Sequence, residues 1–542
     1  MTPPFSLDML PADLRYQLLT DATGKHHLTR IARRALDLAK TGQDSPDALV
    51  CFARELSLAA WLCDPLDQAA AATVLQFEKH APTLPEATIK SLSAVCSMTP
   101  GAALPPRARR LEAEADAAGL VKCLAAALAA SPSDSLIARA LYRHACASGD
   151  FSTAHKLIGD FSRHDVLAPI LAALRAETCF LEGEFENAHR YYENAEQFVP
   201  GFFLDSAGES LVQTGKISQG LSLMRAALDR SPWKINRALR LYDLETGIYR
   251  QTAPIDAKVA ILLYSYNNPE KLDETLESLH ACDLTVPARA AIYVLVNGRS
   301  DATEAVAQKW KTNFGPMLQS VSLPVNVGAA PARNWLMSLD GAASSEWIAY
   351  LDDDVCLPRD WLGRFGAAMR AYPEAGLFGC RVLDFKNPAN LQQTDLNFLP
   401  ARDGELLFSL PDSHCETFDL QQFSYLRPCA SVTGCCHIFK KESLLRCGEF
   451  DIRFSPTQYD DLDHDIRMNL LHMQIVYQGH LAVAHKNKSG KLMKRSNLES
   501  ANAAANMYKL KSKYSSAEIS GIQKKMAVDL EEDFIGKMNI NK

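Results

Sequence analysis

The sequence predicts a helical repeat region followed by a mainly parallel α/β domain whose ligand site lies beyond the carboxyl ends of its strands. Three observations carry this reading. Up to about residue 250 the chain is rich in Ala and Leu, with apolar positions at helical spacing and no convincing strand. Within that half a glycine turn recurs at nearly constant spacing. From about Val259 onward strand-like runs alternate with helix-like ones, and one of those strands runs into three consecutive aspartates.

The bulk properties narrow the field. At 542 residues the chain is too long for one ordinary core, and a length prior suggests roughly three domains. It is 47% hydrophobic and 22% charged, the balance of an ordered globular protein. A net charge of −7 argues against general nucleic-acid binding, which wants a basic surface. No apolar run approaches the ~20 residues needed to span a bilayer. The start, Met1 to Asp8, lacks a basic segment followed by an apolar one, so a cytoplasmic location is expected. Fourteen cysteines are scattered without paired CxxC spacing and read as small hydrophobes, not disulfides or zinc ligands.

In the helical half, Ser148-Gly149-Asp150-Phe151-Ser152-Thr153-Ala154 is echoed by Glu182-Gly183-Glu184-Phe185-Glu186-Asn187-Ala188 and, more loosely, by Thr214-Gly215-Lys216-Ile217-Ser218-Gln219-Gly220. The glycines lie 34 and then 32 residues apart. A glycine turn, an apolar anchor two residues on and then a small residue, at this period, resembles tetratricopeptide repeats over about 135–235. Each such unit is a helix pair that buries its apolar face only against its neighbours, and the stack offers a concave binding surface. Ala118-Gly119-Leu120 and Cys63-Asp64-Pro65 are read as marks of degenerate units upstream. An irregular helical bundle is the plainer alternative.

The second half opens with a buried-strand candidate, Lys258 to Tyr264. Asn267-Asn268-Pro269 then supplies an N-cap and a proline for the first helical turn, and Leu272, Leu276 and Leu279 give that helix its apolar stripe. A strand from Ala291 to Val296 ends in the turn Asn297-Gly298. A helix around Ala302–Trp310, a strand Leu318–Leu323, a helix around Ala332–Leu339 and a strand Trp347–Leu351 follow. This alternation implies a doubly wound sheet, in which ligands bind beyond the strands' carboxyl ends.

That rule draws the eye to Asp352, Asp353 and Asp354. Three carboxylates at the end of an apolar strand repel one another unless a positive charge sits among them, and a hard divalent cation with oxygen ligands supplies it. An acidic turn would place the same residues there without a ligand. About a hundred residues later come Gly448-Glu449-Phe450-Asp451-Ile452-Arg453-Phe454 and Tyr459-Asp460-Asp461-Leu462-Asp463-His464-Asp465-Ile466-Arg467. Acidic residues also suit the first turn of a helix, which leaves room for a catalytic role.

Together these segments resemble the inverting family 2 glycosyltransferases of the GT-A fold. The family shows a Gly-Gly-Phe-Asp stretch, often followed by Arg-Phe, then an acidic pair before a helix bearing an Arg. Here Glu449 replaces the second glycine and Asp460 stands where Glu is usual. Ser265-Tyr266-Asn267 resembles the nucleotide-binding end of the first strand. Asn326 to Asn334 resembles the family's Asn-x-Gly…Ala-Arg-Asn stretch, and Val432-Thr433-Gly434 the glycine-bearing segment beside the acceptor. Ala484-His485-Lys486 resembles a late histidine that joins the metal in some members. The resemblance spans roughly 255–490. Where the family often carries Asp near the second turn, this chain has Val296, which tells against a uridine donor or simply extends the buried strand.

The resemblance implies a nucleoside diphosphate sugar donor, an acceptor hydroxyl and inversion at the anomeric carbon. It implies Mn²⁺ or Mg²⁺ held by Asp354 and Asp352 with His485. Donor contacts fall to Ser265, Tyr266, Asn267, Asn297, Arg333, Asp352 and Asp353, and which of Asp352 and Asp353 faces the ribose is left open. Asp461 is the expected general base, with Asp460 second. Arg333 is equally placed for a salt bridge to a neighbouring helix. Lys486, Lys488, Lys491 and Lys494 read as a solvated basic face, or as a diphosphate cradle.

The domains so read are a helical region 1–134, repeats 135–250, the transferase domain 255–490 and a helical tail 491–542 that covers the site. Fusion to repeats suggests a protein or glycan acceptor, or a protein partner that delivers it. Two other readings compete. One is an inactive repeat scaffold, against which the clustered carboxylates argue. The other is a nucleotidyltransferase, against which the lack of a glycine-rich phosphate loop at Ser265-Tyr266-Asn267-Asn268 argues.

Overall fold

The computed structural model describes residues 7–42, 45–162, 165–298, 302–401, 407–411, 413–487 and 497–539. The chain divides into two compact units. One comprises 1–245 with 412–422, the other 246–411 with 423–542. Residues 1–134 and 135–245 thus share a unit, and the tail helices belong with the α/β part.

In the first unit the named elements among the described residues are all helices, the α-helices running from Ala12–Thr20 to Ile235–Glu245. The three echoing segments are three helix–turn–helix hairpins. Ser135–Ser148 turns at Gly149 into Phe151–Phe161, Ala168–Leu181 at Gly183 into Phe185–Glu196, and Leu204–Gln213 at Gly215 into Ile217–Arg230. The turning glycines have φ of 75°, 81° and 83°. Each turn carries the same pair of closing bonds. Gly149, Gly183 and Gly215 donate to Cys146, Phe180 and Val212, while Asp150, Glu184 and Lys216 donate to Ala145, Cys179 and Leu211, at 2.8–3.1 Å. That is a Schellman cap built three times, and its left-handed position explains the glycine. The small residue that follows is the contact point: Ala154 and Ala188 are fully buried, and a Cβ on Gly208 would come within 2.6 Å of the Gly220 carbonyl. Gly119 is no such turn. It lies inside the helix Ala117–Ala130, its amide capped by Asp116 at 2.9 Å.

Residues 412–422, which the sequence reading left in the α/β domain, complete this unit. Phe418 is buried in its core. Arg143 donates to the carbonyls of Cys415 and of Glu416, the latter at 2.7 Å, and Arg237 to that of Leu420 at 3.0 Å. A cavity of about 600 Å³ remains beside this segment, walled by Tyr142, Glu177, Tyr192, Trp233 and Phe418 among others.

The second unit is built on strands β1 (Ile255–Ser265), β2 (Pro287–Asn297), β3 (Leu318–Leu323), β4 (Trp347–Leu351), β5 (Val355–Cys356), β6 (Leu377–Asp384), β7 (Leu391–Gln393), β10 (Leu426–Cys429), β11 (Cys436–Lys440) and β12 (Ile475–His485); β8 (Leu399–Pro400) and β9 (Phe408–Ser409) form a separate pair. The sheet order is β10-β12-β6-β11-β4-β1-β2-β3, with β5 on β12 and β7 on β6. β4, β1, β2 and β3 run parallel, as the alternation predicts. β11 enters antiparallel between β4 and β6, so the sheet is mixed, not doubly wound throughout. Val259, Ile261 and Leu263 on β1 are fully buried under Leu272, Leu276 and Leu279 of the helix Pro269–His280. Val296 is 1% exposed and belongs to the same core. The described cysteines are all free thiols. Among the described residues no helix is long and apolar enough to cross a membrane.

Candidate active site

β4 lies between β1 and β11, so the residues after it emerge at the middle of the sheet. Asp352 is pinned there by its amide, which donates to the Cys435 carbonyl at 2.9 Å. Three residues later the chain forms β5, whose antiparallel register sets Val355 against His485 and Cys356 against Ala484. The Asp354 carbonyl accepts from the Lys486 amide at 2.9 Å. These backbone bonds bring a histidine 131 positions away beside the aspartates: His485 Nε2 lies 3.0 Å from Asp354 Oδ1. One ligand atom from each of Asp352, Asp354 and His485 lies within 4.8 Å of the others.

The donor set fits a hard divalent cation on two further observations. Asp354 Oδ2 is buried without a hydrogen-bond partner, and an orphaned carboxylate oxygen is costly unless something positive meets it. His485 Nδ1 lies 2.9 Å from Gln392 Oε1, while Gln392 Nε2 donates to the His485 carbonyl at 3.1 Å. A ring that donates through Nδ1 presents Nε2 as the ligand atom, the usual outer-shell arrangement at a metal site. Burial raises Asp352 to about 7, with Asp354 and Asp353 adding to it and Arg333 opposing. Burial likewise raises Asp353 to about 6 against its Ser265 hydrogen bond. Burial pushes Asp354 up too, but the bond and charge of His485 outweigh it and hold this carboxyl below its usual range.

Of the expected donor contacts, Ser265 Oγ donates to Asp353 Oδ2 at 2.5 Å, so the strand end and the triplet are joined. Tyr266 is half exposed, with Gly298 against its ring; a Cβ there would come 3.3 Å from Cε2. Asn267, at φ 50°, begins the turn into the helix. Asn297 is buried and faces the other way: its amide donates to Asn326 Oδ1 at 2.9 Å and its Oδ1 accepts from Val327 N at 3.0 Å. It shapes the 326–328 turn. Lys486 pairs with Glu274 and lies over the Phe385 ring; Lys488, Lys491 and Lys494 fall outside the described residues.

Arg333 sits in the middle. On the helix Ala329–Met337, 4% exposed, it pairs through Nη1 with Asp460 Oδ2, and its Nη2 lies 3.6 Å from Asp352 Oδ1. It therefore ties the strand-end aspartates to the helix Asp460–Leu470. Asn334, next along, clamps the Phe450 backbone with both amide atoms, at 2.8 and 2.9 Å. The acids of the Asp460–Leu470 helix divide by partner. Asp460 is buried against Arg333. Asp463 takes Arg467 and Lys513, and Asp465 takes Ser431 Oγ and Val432 N at 2.7 and 3.0 Å. Asp461 alone of the four is not fully buried; its Oδ2 accepts from Gly434 N at 2.9 Å. Gly434 has no room for a side chain, since a Cβ would come 2.9 Å from Arg333 Nη2 and 3.1 Å from Asp461 Oδ2.

Two residues of this site escaped sequence reasoning. Gln392 stands in no motif and is placed only by the β6–β7 pairing. Lys271, two residues into the first helix, lends positive charge to Asp353, Asp354 and His485; its cue was a lysine at a strand-to-helix turn facing an acidic triplet.

Residues 260–447 match the family model described as Glycosyl transferase family 2. Over that stretch the chain is similar to family 2 glycosyltransferases. A curated relative, the amylovoran biosynthesis glycosyltransferase AmsE of Erwinia amylovora, is 28% identical over 193 residues, 35% of this chain. The match spans 62% of that relative's length. Among solved structures, the mannosyltransferase PcManGT of Pyrobaculum calidifontis, in complex with GDP-Man and Mn²⁺, is similar at TM-score 0.36 and 16% identity, covering 59% of this chain and 84% of that one. GalNAc-T7 with UDP, GalNAc and Mn²⁺ is similar at TM-score 0.36 and 10% identity, covering 46% and 48%. The family 2 match runs from within β1 through β11 and includes the Asp352–Asp354 triplet; Asp460, Asp461 and His485 lie beyond its end.

Proposed function

We propose that this chain is a metal-dependent, inverting glycosyltransferase of GT-A type, moving a sugar from a nucleoside diphosphate to an acceptor hydroxyl. The observation that carries the reading is the convergence of Asp352, Asp354 and His485 on one face with Asp460 and Asp461, joined by the single buried guanidinium of Arg333. A Mn²⁺ or Mg²⁺ ion held by the first three would supply Lewis-acid charge for the departing diphosphate. Ser265 and Asp353 hold the strand end where the nucleoside is expected, and Tyr266 offers an exposed ring for its base. Asp461 is the group free enough to take the proton of the acceptor hydroxyl as that oxygen bonds to the anomeric carbon and the bond to the diphosphate breaks. Gly434 orients it. Asp460, locked to Arg333, acts on position and charge instead of as the base. The sugar-transferring relative supports the same chemistry.

We further infer that the helical hairpins are tetratricopeptide-type repeats that engage a protein acceptor or partner, a reading supported by their thrice-repeated cap and by the cavity beside Tyr142 and Tyr192. Because 412–422 completes that unit, removing residues 1–245 would strip this segment of its partners. Substitutions in the cavity wall are the cleaner probe.

The test is nucleoside diphosphate release from a panel of sugar nucleotides with Mn²⁺ or Mg²⁺. Release from one donor, abolished by chelator, by Asp354→Ala and by Asp461→Asn, is expected. Silence across the panel, with no Mn²⁺-dependent binding of UDP or GDP, would overturn the proposal in favour of the scaffold.

A further inference from the structure

The helices Asn497–Lys513 and Ser516–Asn539 lie beyond the family 2 match, which ends at Cys447. Apolar burial accounts for much of their docking: Ala503, Leu510, Ile519, Ile522, Met526 and Leu530 are all nearly inaccessible. It does not account for Asn506, which is 1% exposed among them. The Asn506 amide nitrogen lies 2.7, 2.9 and 3.3 Å from the carbonyl oxygens of Phe454, Thr457 and Gln458. An asparagine has two amide hydrogens, and here both are directed at one loop.

That loop leads straight into Asp460 and Asp461. Its last two residues, Gln458 and Tyr459, have φ of 82° and 71°, a left-handed conformation that side-chain-bearing residues rarely adopt. Such a backbone persists only where its surroundings over-determine it. The tail supplies that determination from one side. Lys509 Nζ donates to the Arg453 carbonyl at 2.7 Å and to Asn506 Oδ1 at 2.9 Å. One turn further, Lys513 Nζ bridges Asp451 Oδ2 at 2.8 Å and Asp463 Oδ1 at 2.6 Å, and Tyr514 Oη donates to the same Asp463 oxygen at 2.7 Å. The tail therefore grips both the loop before Asp461 and the helical turn after it. On the other side the Pro456 carbonyl accepts from Ala329 N at 2.8 Å, at the start of the Arg333 helix.

We propose that Asn506, Lys513 and Tyr514 are positioning residues: the C-terminal helix pair sets the 454–459 loop so that Asp461 is presented to the acceptor hydroxyl. This rests on the reading of Asp461 as the base. Buried polar contacts of this kind specify a register more than they add stability, since an apolar face would dock these helices as well.

The experiment uses the full chain with Asn506→Asp, which keeps shape but cannot donate, Lys513→Met, and Lys513→Arg as the conservative control. With the donor named by the panel, kcat should fall at least about tenfold in the first two, as displacement of a reacting group by an ångström costs on the order of 10²-fold. The donor KM and Mn²⁺-dependent UDP or GDP binding should stay within about twofold, and Lys513→Arg should recover much of the loss. Independently of activity, amide hydrogen exchange should quicken over 457–465 and stay unchanged over 348–354. Unchanged exchange at 457–465 overturns the proposal whether or not a donor is found, and so does a loss shared equally with donor binding. If Asp461→Asn turns over normally, the base reading fails instead, and the exchange result still decides whether the tail holds the loop.

Discussion

Replacing Arg333 by methionine should destabilise the second unit by about 3–5 kcal/mol, the cost of breaking a buried ion pair. Methionine retains much of the buried aliphatic stem, but not the guanidinium, whose carbon lies 5.6 and 5.3 Å from the ring centroids of Tyr264 and Phe450. What goes is the charge. Asp460, 3% exposed, then stays behind as a buried carboxylate without its partner, and that orphan is the expensive part. Removing the orphan should therefore rescue the variant. Asp460→Asn alone should cost about 1–2 kcal/mol, because Arg333 keeps Asp352 at 3.6 Å and the Gly434 carbonyl at 3.4 Å. The double variant should be more stable than Arg333→Met by about 1 kcal/mol, which with the cost of Asp460→Asn alone makes a coupling of about 2–3 kcal/mol, in the range of contacting pairs.

The pH dependence supplies a second check with a definite sign. Burial already raises the Asp460 carboxyl above its usual range, with Arg333 opposing that shift. Without Arg333 the folded-state value moves further above the unfolded one, so the folded chain binds the extra proton. Stability of Arg333→Met should then increase as pH falls from 8 toward 5, by at most about 1.4 kcal/mol per pH unit for one site. Urea unfolding followed by tryptophan fluorescence reads this, since four of the six tryptophans lie in the second unit. A cost under about 1 kcal/mol for Arg333→Met, or a double variant as unstable as the two single losses added, would refute the argument that Asp460 depends on this pairing.

Three further outcomes follow from the same geometry. Gln392→Leu should leave the fold intact yet weaken Mn²⁺ binding about 10- to 100-fold by calorimetry in the presence of UDP or GDP, because His485 loses the acceptor that orients its ring; unchanged affinity would show that Gln392 does not tune the site. Gly434→Ala should cost about 1–3 kcal/mol in urea and most of the turnover, as the new methyl meets Arg333 and Asp461 within about 3 Å; a fully active Ala variant would mean that the Val432-Thr433-Gly434 segment moves freely. His437 is buried with both ring nitrogens unpartnered, beside Tyr350 and Phe439, and burial drives it well below the usual histidine range. Its unfolded form takes a proton near pH 6.5 that the folded form refuses, so it subtracts up to about 1.4 kcal/mol per pH unit as pH drops below that point. His437→Phe should match wild type at pH 8 and flatten the slope between pH 6.5 and 5; an unchanged slope would place the proton uptake elsewhere.

Much of this architecture was legible because it is written in short-range chemistry. The runs at Val259, Ala291, Leu318 and Trp347 became β1 to β4 because apolar stretches of that length between turn residues have few other uses. The glycines at 149, 183 and 215 were readable because a left-handed helix cap selects glycine. What stayed hidden depends on register and insertion. That His485 meets Asp354 follows from two backbone pairs between β5 and β12, and a two-residue strand leaves no periodicity to read. That 412–422 completes the helical unit rests on Arg143 and Arg237 finding main-chain carbonyls, which every residue offers alike. The acids of Tyr459 to Arg467 illustrate the limit most clearly. On a helix, Asp460, Asp461, Asp463 and Asp465 differ in the sequence only by angle. The structure separates them by what each one touches: a guanidinium, a glycine amide, a lysine from the tail, a serine hydroxyl. Among these four only Asp461 keeps solvent access together with a fixed orientation, the two properties that the proposed general base needs. Spacing cannot express that combination, because all four determinants come from segments far along the chain: Arg333, Gly434, Lys513 and Ser431.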